Sequence, residues 1–293
     1  MTGQIVVGVD GSPSAAAAVK WAADEAARWG ARLRIVHVRE PWSYEFPFKP
    51  TPRNRNSLSS YWEGALATAT DWVRRQVPGV EVTSALITGA VAERLTTESE
   101  SADELVLGSK GLGGLVGSVI GSVGCSVAGR AEGAVIVVKR PPETAFGEVV
   151  VGFDGSEVSE AALDYALQQA ALRRARAHVL YASAAPPFAP DATAYAGAAQ
   201  EALAEESREV WRRLEPWRER YPDVPMEASA VRGHPVTALC DASRHADLVV
   251  VGSGPQGVHG RPLLGSVGNG VLRHARCPVA IVRPRRARLE PVT

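Results

Sequence analysis

The chain alternates short, wholly apolar runs with longer segments in which apolar residues recur at helical spacing. An uninterrupted apolar run of about five residues is typical of a strand buried on both faces of a parallel sheet. Strands that alternate with helices favour an open, doubly wound α/β sheet with right-handed crossovers. In the first half the pattern predicts strands at residues 5–9, 33–38, 80–87, 104–107 and 134–139, and helices at residues 15–29, 60–76, 91–100 and from about residue 122.

Local signals define where the first helix starts and ends, and where a connection is long. Ser12 is a good N-cap, and Pro13 suits the first helical position because its missing N–H is not needed there. Gly30 is suited to a left-handed helix end. Residues 40–59 contain four prolines and no periodicity, and we predict a long loop there.

The second half of the chain repeats the first. VVGVDGS, with its aspartate at Asp10, returns as VVGFDGS, with its aspartate at Asp154, 144 positions later. The segment ADELVLGS, which contains Asp103, returns as ADLVVVGS at the same offset, at Asp247. The constant offset predicts two tandem, doubly wound α/β domains, each a five-stranded parallel sheet of Rossmann-like type. We call residues 1–140 the first copy and residues 147–284 the second copy.

Composition and charge narrow the class of protein. The 32 Lys and Arg residues balance 32 Asp and Glu residues, so no net charge draws the chain to nucleic acid or to an anionic membrane. The basic residues 283–288 are interpreted as a solvated chain end rather than a nucleic-acid contact. Three cysteines without a CxxC pair, no signal peptide and no long apolar run together predict a cytoplasmic protein that does not span a membrane.

The glycine-rich segment at residues 108–122 carries the strongest chemical signal. Gly108, Gly111 and Gly121 follow a buried strand, and Ser122 starts the last helix of the copy. Glycines allow successive backbone amides to converge on an anion, and a helix start adds unpaired N–H donors. The segment therefore indicates a phosphate site. A flexible glycine-rich connector is the alternative interpretation.

Other catalytic and phosphate motifs do not fit. The P-loop pattern GxxxxGK[ST] and the nucleophile elbow GxSxG do not occur. The GxGxxG match at residues 252–257 contains Pro255 and lacks a following acidic residue to bind a ribose, so we reject it. His274 and Cys277 form only an isolated pair, which does not make a metal site.

The spacing G-x2-G-x9-G-[ST], met in full by the first copy, resembles the motif of the ATP-binding branch of the universal stress protein family. The whole chain resembles a tandem member of that family, whose fold is related to the adenine-nucleotide alpha hydrolases. The resemblance implies ATP, with Mg²⁺ as a companion ion. It places the adenine between Asp10 and the backbone of Val38. For Asp10, capping of the turn before the first helix is an alternative and compatible role. The residues that it implies in the first copy are Asp10, Val38, Leu107, Gly108, Gly111, Gly121, Ser122 and Val123.

The second copy departs from this motif. Its second motif glycine is replaced by Pro255, which removes one amide donor, and Val258 and Arg261 replace glycines nearby. We predict that the first copy binds ATP more tightly and that the second is weakened or specialised. The corresponding residues of the second copy are Asp154, Ala182, Val251, Gly252, Gly265, Ser266 and Val267.

The resemblance also implies a function and an assembly. We expect nucleotide-dependent regulation in stress adaptation, through changes in conformation or in partner binding. Pairing of the fifth strands, residues 135–138 with residues 279–282, would join the copies as an internal pseudo-dimer and leaves room for a further homodimer. Two rivals stay open: a slow ATPase or nucleotide-processing enzyme, and a scaffold that binds no nucleotide.

Overall fold

A computed structural model describes residues 3–40, 52–111, 120–139, 144–183, 196–254 and 264–285. Strands and helices alternate through both copies, as the pattern predicts. The elements of the first copy are β1 (Gln4–Gly8), α1 (Pro13–Trp29), β2 (Arg32–Arg39), α2 (Pro52–Gln76), β3 (Val82–Thr88), α3 (Val91–Ser99), β4 (Glu104–Gly108), α4 (Ser122–Ala128) and β5 (Gly133–Val138).

The second copy repeats this order. Six of the nine elements start and end 144 positions after their counterparts. The exceptions are small changes of length in the third and fourth helices and in the fifth strand. The elements are β6 (Glu148–Gly152), α5 (Glu157–Arg173), β7 (Arg176–Ser183), α6 (Ala196–Arg220), β8 (Met226–Arg232), α7 (Pro235–Ala242), β9 (Leu248–Gly252), α8 (Ser266–His274) and β10 (Val279–Arg283).

All ten strands form one sheet, in the order β3-β2-β1-β4-β5-β10-β9-β6-β7-β8. Each copy contributes five parallel strands, and β5 and β10 join the halves as an antiparallel pair, with Val137 opposite Val279. The predicted pairing of the fifth strands is confirmed. Within a copy, the strand order 3-2-1-4-5 reverses direction between β1 and β4, which is where doubly wound sheets bind ligands.

The strands are apolar throughout because both faces of the sheet are covered. Ile5 and Val7 of β1 pack against a cluster that includes α1 and α2 residues, while Val6 packs on the opposite face with residues of α3 and α4. All three side chains are fully buried. Alternation of the two faces along one strand therefore produces the continuous apolar run in the sequence.

One sequence prediction is wrong. Residues 52–59 are helical, so α2 begins at Pro52 and the predicted loop over residues 40–59 is too long. The prolines misled the prediction because proline is unfavourable inside a helix but well tolerated in its first turn, where Pro52 stands. In contrast, the predicted boundaries of α1 are right. Ser12 caps it, with Oγ accepting from Ala15 N at 3.2 Å, and Gly30 ends it at a φ of 61°.

Two reciprocal contacts join the copies at the ends of their last helices. Lys139, after β5, donates from Nζ to the carbonyl oxygens of Arg273 (3.0 Å) and Ala275 (2.8 Å) at the end of α8. Arg283, at the end of β10, donates from Nη2 to the carbonyl oxygen of Gly129 (2.8 Å) at the end of α4. Both cations lie at the negative end of a helix dipole, so each contact is electrostatically favourable.

A buried polar cluster lies on the opposite side of this junction. Glu104 of β4 accepts hydrogen bonds from Tyr165 Oη and Gln169 Nε2 of α5, both at 2.7 Å. Beside it, the buried Glu25 of α1 pairs with Arg173 of α5 at 2.6 Å. Burial, reinforced by the charge of Glu25, raises the pKa of Glu104 to about 8. Folding therefore favours the protonated form of Glu104.

Candidate functional site

A cleft opens at the carboxyl ends of the first copy's strands. Its volume is about 860 Å³, which lies in the range of small-molecule sites. The ends of β1, β2 and β4 form its floor, and the glycine motif and the start of α4 form one wall. We call it the first cleft. It is lined by all eight of the predicted first-copy residues: Asp10, Val38, Leu107, Gly108, Gly111, Gly121, Ser122 and Val123.

The two ends of the glycine motif are tied together by the backbone. Gly121 N donates to the carbonyl oxygen of Ser109 at 2.8 Å. Gly108 and Gly111 are thereby held beside Gly121 and the first residue of α4, Ser122. Residues 112–119, between the two ends, lie outside the described residues. The bond brings the first and last parts of the motif to one wall of the cleft, as a phosphate-binding loop requires.

The first motif glycine is required by packing inside the protein. A Cβ on Gly108 would lie 2.7 Å from the backbone carbon of Ser14 and 2.8 Å from the backbone nitrogen of Ala15. Only a residue without a side chain allows the end of β4 to approach the start of α1 so closely. This glycine therefore positions the cleft whether or not a ligand is bound.

Asp10 performs a structural task and also lies against the motif. Its Oδ1 accepts from Ser12 N at 3.0 Å, which caps the turn into α1. A Cβ on Gly111 would lie 2.6 Å from its Oδ2. A side chain at the second motif glycine would therefore displace the Asp10 carboxylate from its present position. The capping role does not compete with a ligand role, since the carboxylate also lines the cleft.

Gly121 differs from the other two motif glycines. Its φ is −73°, a value that any residue adopts, and the nearest atom to a Cβ there would be the oxygen of Ser109 at 3.6 Å. A Cβ would also lie 3.9 Å from Gly111 N. Packing against the described residues does not require glycine at this position. A side chain here would instead crowd the Gly111 amide at the wall of the cleft.

Two serines at the start of α1 fasten the motif loop to that helix. Ser12 Oγ donates to the carbonyl oxygen of Lys110 at 3.0 Å, and Ser14 Oγ donates to the same oxygen. Lys110 N in turn donates to Ser14 Oγ at 3.3 Å. The loop that carries Gly111 is therefore held in place by side chains as well as by backbone.

The second copy keeps the motif's backbone but changes its surroundings. A Cβ on Gly252 would lie 2.9 Å from the oxygen of Val158, so this glycine has the same packing role as Gly108. Gly265 N donates to the oxygen of Ser253 at 2.9 Å, as in the first copy. Here, however, a Cβ on Gly265 would lie 3.1 Å from Gly254 Cα, which leaves less space than at Gly121. Pro255, Val258 and Arg261 lie outside the described residues.

The other predicted residues of the second copy lie at equivalent places. Asp154 Oδ1 accepts from Ser156 N at 3.0 Å and from Ser156 Oγ at 2.6 Å. Burial opposes ionisation of Asp154, but these bonds and one with Ser159 outweigh it and lower its pKa. The remaining predicted residues are Val251, which is buried in the strand layer, Ala182 and Val267, which pack against the same apolar cluster, and Ser266, which begins α8.

Helix α6 lines a cavity of the second copy with side chains that differ from those of its counterpart α2 in the first copy. A cavity of about 320 Å³ beside Asp154 is lined by Glu205, Glu206, Glu209 and Arg213 of this helix. Of the predicted second-copy residues it is lined by Asp154 alone, and the motif residues Gly252, Gly265 and Ser266 do not line it. In the first copy, the positions of Glu205 and Glu206 are occupied by Tyr61 and Trp62. A carboxylate wall disfavours a polyphosphate, whereas an aromatic wall can stack on a base.

The described parts of the chain contain neither a cluster of metal-binding side chains nor a membrane-spanning helix. No three His, Cys, Asp or Glu side chains among them are grouped so that they could hold a metal ion. None of the helices described has both the length and the apolar character needed to cross a bilayer.

Comparison with known proteins identifies the family. The model of the universal stress protein family matches residues 1–139 and again residues 145–283. The chain is a tandem universal stress protein. Among its relatives, a universal stress protein of Mycolicibacterium smegmatis is 33% identical over 294 residues, which cover 96% of this chain and 97% of the relative. One from Mycobacterium tuberculosis is 33% identical over 291 residues, covering 95% and 96%.

Solved structures of the universal stress protein fold agree with the architecture. A universal stress protein from Archaeoglobus fulgidus superposes with a TM-score of 0.70 at 17% identity and covers 96% of each chain. One from Pseudomonas aeruginosa gives 0.60 at 15% identity, over 96% of this chain and 93% of the other. At these identities the likeness concerns the fold, and it supports two doubly wound halves in one chain.

Among the residues of the first cleft that sequence reasoning missed in this universal stress protein are Trp62 and Arg273. Trp62 of α2 stacks on His37, with ring centroids 4.3 Å apart and an interplanar angle of 17°. Burial lowers the pKa of His37, whose Nδ1 bonds to the Val9 oxygen at 2.7 Å. A neutral ring therefore supports the indole. An aromatic near the start of a predicted helix was the only available signal for Trp62, and nothing in the sequence pointed to Arg273.

Proposed function

We propose that this universal stress protein binds ATP in the first cleft and that occupancy regulates its conformation and partner binding during stress adaptation. One observation carries the proposal. Every implicated residue of the first copy lines one cavity, and Gly121, where contacts with the described residues do not demand glycine, stands beside Gly111 N. A glycine that the fold does not need is best explained by a ligand that needs close backbone approach.

The lining residues divide into two chemical ends. At one end, Asp10, Val38 and the Trp62 indole present a carboxylate, a strand end and an aromatic face, which suit an adenine ring. At the other end, Gly111 and Ser122 line the cleft where the glycine motif meets the first turn of α4, whose N–H groups, together with the Ser122 hydroxyl, suit phosphates. Mg²⁺, when it accompanies ATP, is held largely by phosphate oxygens and needs few protein ligands.

The proposal extends to location and assembly. The three cysteines are free thiols, in keeping with a reducing cytoplasm, where we place the protein. The fifth strands already pair with each other inside the chain. A homodimer of this protein would therefore have to form through a different surface.

The decisive experiment identifies the natural ligand directly. The purified protein is denatured, the released small molecules are analysed by mass spectrometry, and the ligand-free protein is titrated with ATP in a calorimeter. We expect ATP in the extract and saturable binding. Release of ADP or AMP, with turnover lost in Asp10→Asn, would replace the proposal with a nucleotide-processing enzyme. If no nucleotide is released and titration with ATP gives no heat of binding, the protein would be a scaffold that binds no nucleotide.

A pair of matched variants tests which copy binds more tightly. Gly121→Ala adds a methyl group 3.9 Å from Gly111 N without a steric conflict, so it should weaken the tighter ATP site about tenfold and leave the thermal midpoint unchanged. Gly265→Ala forces its methyl group to 3.1 Å from Gly254 Cα, so it should lower stability slightly and leave the tighter site intact. Equal losses of affinity from both variants would show that the copies bind alike.

A further inference from the structure

Arg273 lies in the first cleft although it belongs to the second copy. It stands in the last turn of α8, and the pairing of β5 with β10 brings that helix end beside the first copy. Among the described residues that line the cleft, it is the one contributed from beyond residue 125. The first cleft is therefore built by both copies.

The position of this arginine is fixed from two sides. Its Nε donates to Oδ1 of Asn269, one turn earlier on α8, at 2.9 Å. Its carbonyl oxygen accepts from Lys139 Nζ of the first copy at 3.0 Å, and Lys139 also bonds to the carbonyl of Ala275. The side chain is thus oriented by its own helix, and the helix end is anchored to the copy that holds the cleft.

Arg273 lines the cleft together with residues 122–125 of α4, the helix that begins at the glycine motif. Its charge acts on the thiol of Cys125, three residues after Ser122 in α4, where it opposes the effect of burial, which raises the pKa of Cys125. Among the described lining residues, Arg273 and Lys110 are the cations, against the carboxylates of Asp10 and Glu40. A second cation beside Lys110 would further stabilise a polyphosphate. A guanidinium also offers paired N–H donors that match phosphate oxygens.

The copies are related by a pseudo-twofold axis, but the second copy's site has no arginine equivalent to Arg273. The position 144 before Arg273 is Gly129, at the end of α4. The two positions are equivalent in space as well, because Arg283 holds the Gly129 carbonyl as Lys139 holds that of Arg273. The first copy therefore presents a glycine where the second copy presents an arginine.

We propose that Arg273 of the second copy is a phosphate ligand of the nucleotide bound in the first cleft, so that occupancy is coupled to the junction between the copies. The inference rests on the proposed function, which supplies the nucleotide. It adds a binding residue that lies outside the glycine motif and makes the tandem arrangement part of the site. A first copy without its partner would bind the nucleoside but hold its phosphates poorly.

The test measures ATP and adenosine affinities by calorimetry for the full-length wild type, Arg273→Gln and Arg276→Gln. Arg276 is exposed and does not line the cleft, so its variant makes the same change of charge three residues further on. We expect Arg273→Gln to weaken ATP about tenfold to a hundredfold, as for loss of a charge-assisted hydrogen bond, and to change adenosine less than about twofold. Arg276→Gln should bind both ligands as the wild type does.

The other outcomes separate the inference from the function on which it rests. Wild-type ATP binding that Arg273→Gln leaves intact would overturn the inference and keep the proposed function. An equal loss of ATP and adenosine would also overturn it, because the arginine would then act through cleft shape. A comparable ATP loss in Arg276→Gln would reduce the effect to general charge. A wild type that binds neither ligand would remove both proposals together.

Discussion

The two copies share a backbone but differ in what their clefts present. In both, the turn before the first strand is held by an aspartate in the same way: Asp103 Oδ2 accepts from Gly3 N at 2.7 Å, and Asp247 Oδ2 accepts from Gly147 N at 2.8 Å. The backbone hydrogen bond that joins the two ends of the glycine motif also occurs in both copies, from Gly121 N to Ser109 O and from Gly265 N to Ser253 O. The walls differ, with Trp62 in one copy and Glu206 in the other. The fold therefore constrains backbone positions strongly and leaves the walls of the cleft free to diverge.

The junction shows the same divergence in its interior. Glu25 corresponds in position to Gln169, and Glu104 corresponds to Leu248. Gln169 of the second copy nevertheless bonds to Glu104 of the first. The copies have become complementary rather than identical, because a buried carboxyl group requires a donor opposite it rather than a second carboxylate.

The largest expected effect tests the packing role that the copies share. Gly108→Ala and Gly252→Ala each place a methyl group within 3 Å of backbone atoms, so each should lower the free energy of unfolding by about 3 kcal/mol in denaturant titrations. Gly64→Ala on α2 is the control, since its methyl group would meet no atom within 4 Å, and it should be neutral or slightly stabilising. Wild-type stability in Gly108→Ala would contradict the close approach of β4 to α1.

The second prediction concerns the buried carboxyl group that one copy has and the other lacks. The unfolded Glu104 ionises near pH 4.5, whereas the folded group keeps its proton to about pH 8. Between these values the folded state binds more protons, so stability falls as pH rises, by at most about 1.4 kcal/mol per pH unit. Urea titrations from pH 5 to 8 should show this fall in the wild type.

Glu104→Gln removes the titrating group and should flatten this contribution to the pH dependence. The exposed Glu227→Gln is the control and should retain the wild-type slope. The assignment would be wrong if the slope between pH 5 and 8 were the same in Glu104→Gln as in the wild type.

The third prediction weakens the junction between the copies. Lys139→Met removes two bonds to the end of α8 and should lower the free energy of unfolding by about 1 to 2 kcal/mol. It should also weaken ATP binding slightly, since it loosens the helix end that carries Arg273. The exposed Lys20→Met should change neither quantity. A stability loss of the same size in Lys20→Met would mean that the effect is one of net charge.

The smallest effect concerns the serine that fastens the motif loop. Ser14 bonds to both the N–H and the carbonyl of Lys110, while its counterpart in the second copy is Val158. Ser14→Ala should cost about 0.5 to 1 kcal/mol and weaken ATP binding about threefold. Thr68→Ala, which also removes a hydroxyl that bonds to a backbone carbonyl, is the control. Similar ATP affinities in the two variants would show that the loop does not depend on this bond.

The sequence by itself determined the class of fold, the duplication and the first-copy side of the cleft. Buried parallel strands require apolar side chains on both faces, and the motif spacing required no long-range information. The start of α2 was missed because proline signals a break without showing on which side of it the helix lies.

Only the tertiary structure decided the rest, because those contacts join residues far apart in sequence. The spacing of Gly108, Gly111 and Gly121 could not show that Gly108 is fixed by contact with the Ser14 backbone, whereas Gly121 meets no such close contact among the described residues. The place of Arg273 in the cleft depends on the antiparallel pairing of β5 and β10. That pairing brings the end of α8 in the second copy next to the strand ends of the first copy. The apolar periodicity within a single copy does not indicate how the two copies pair.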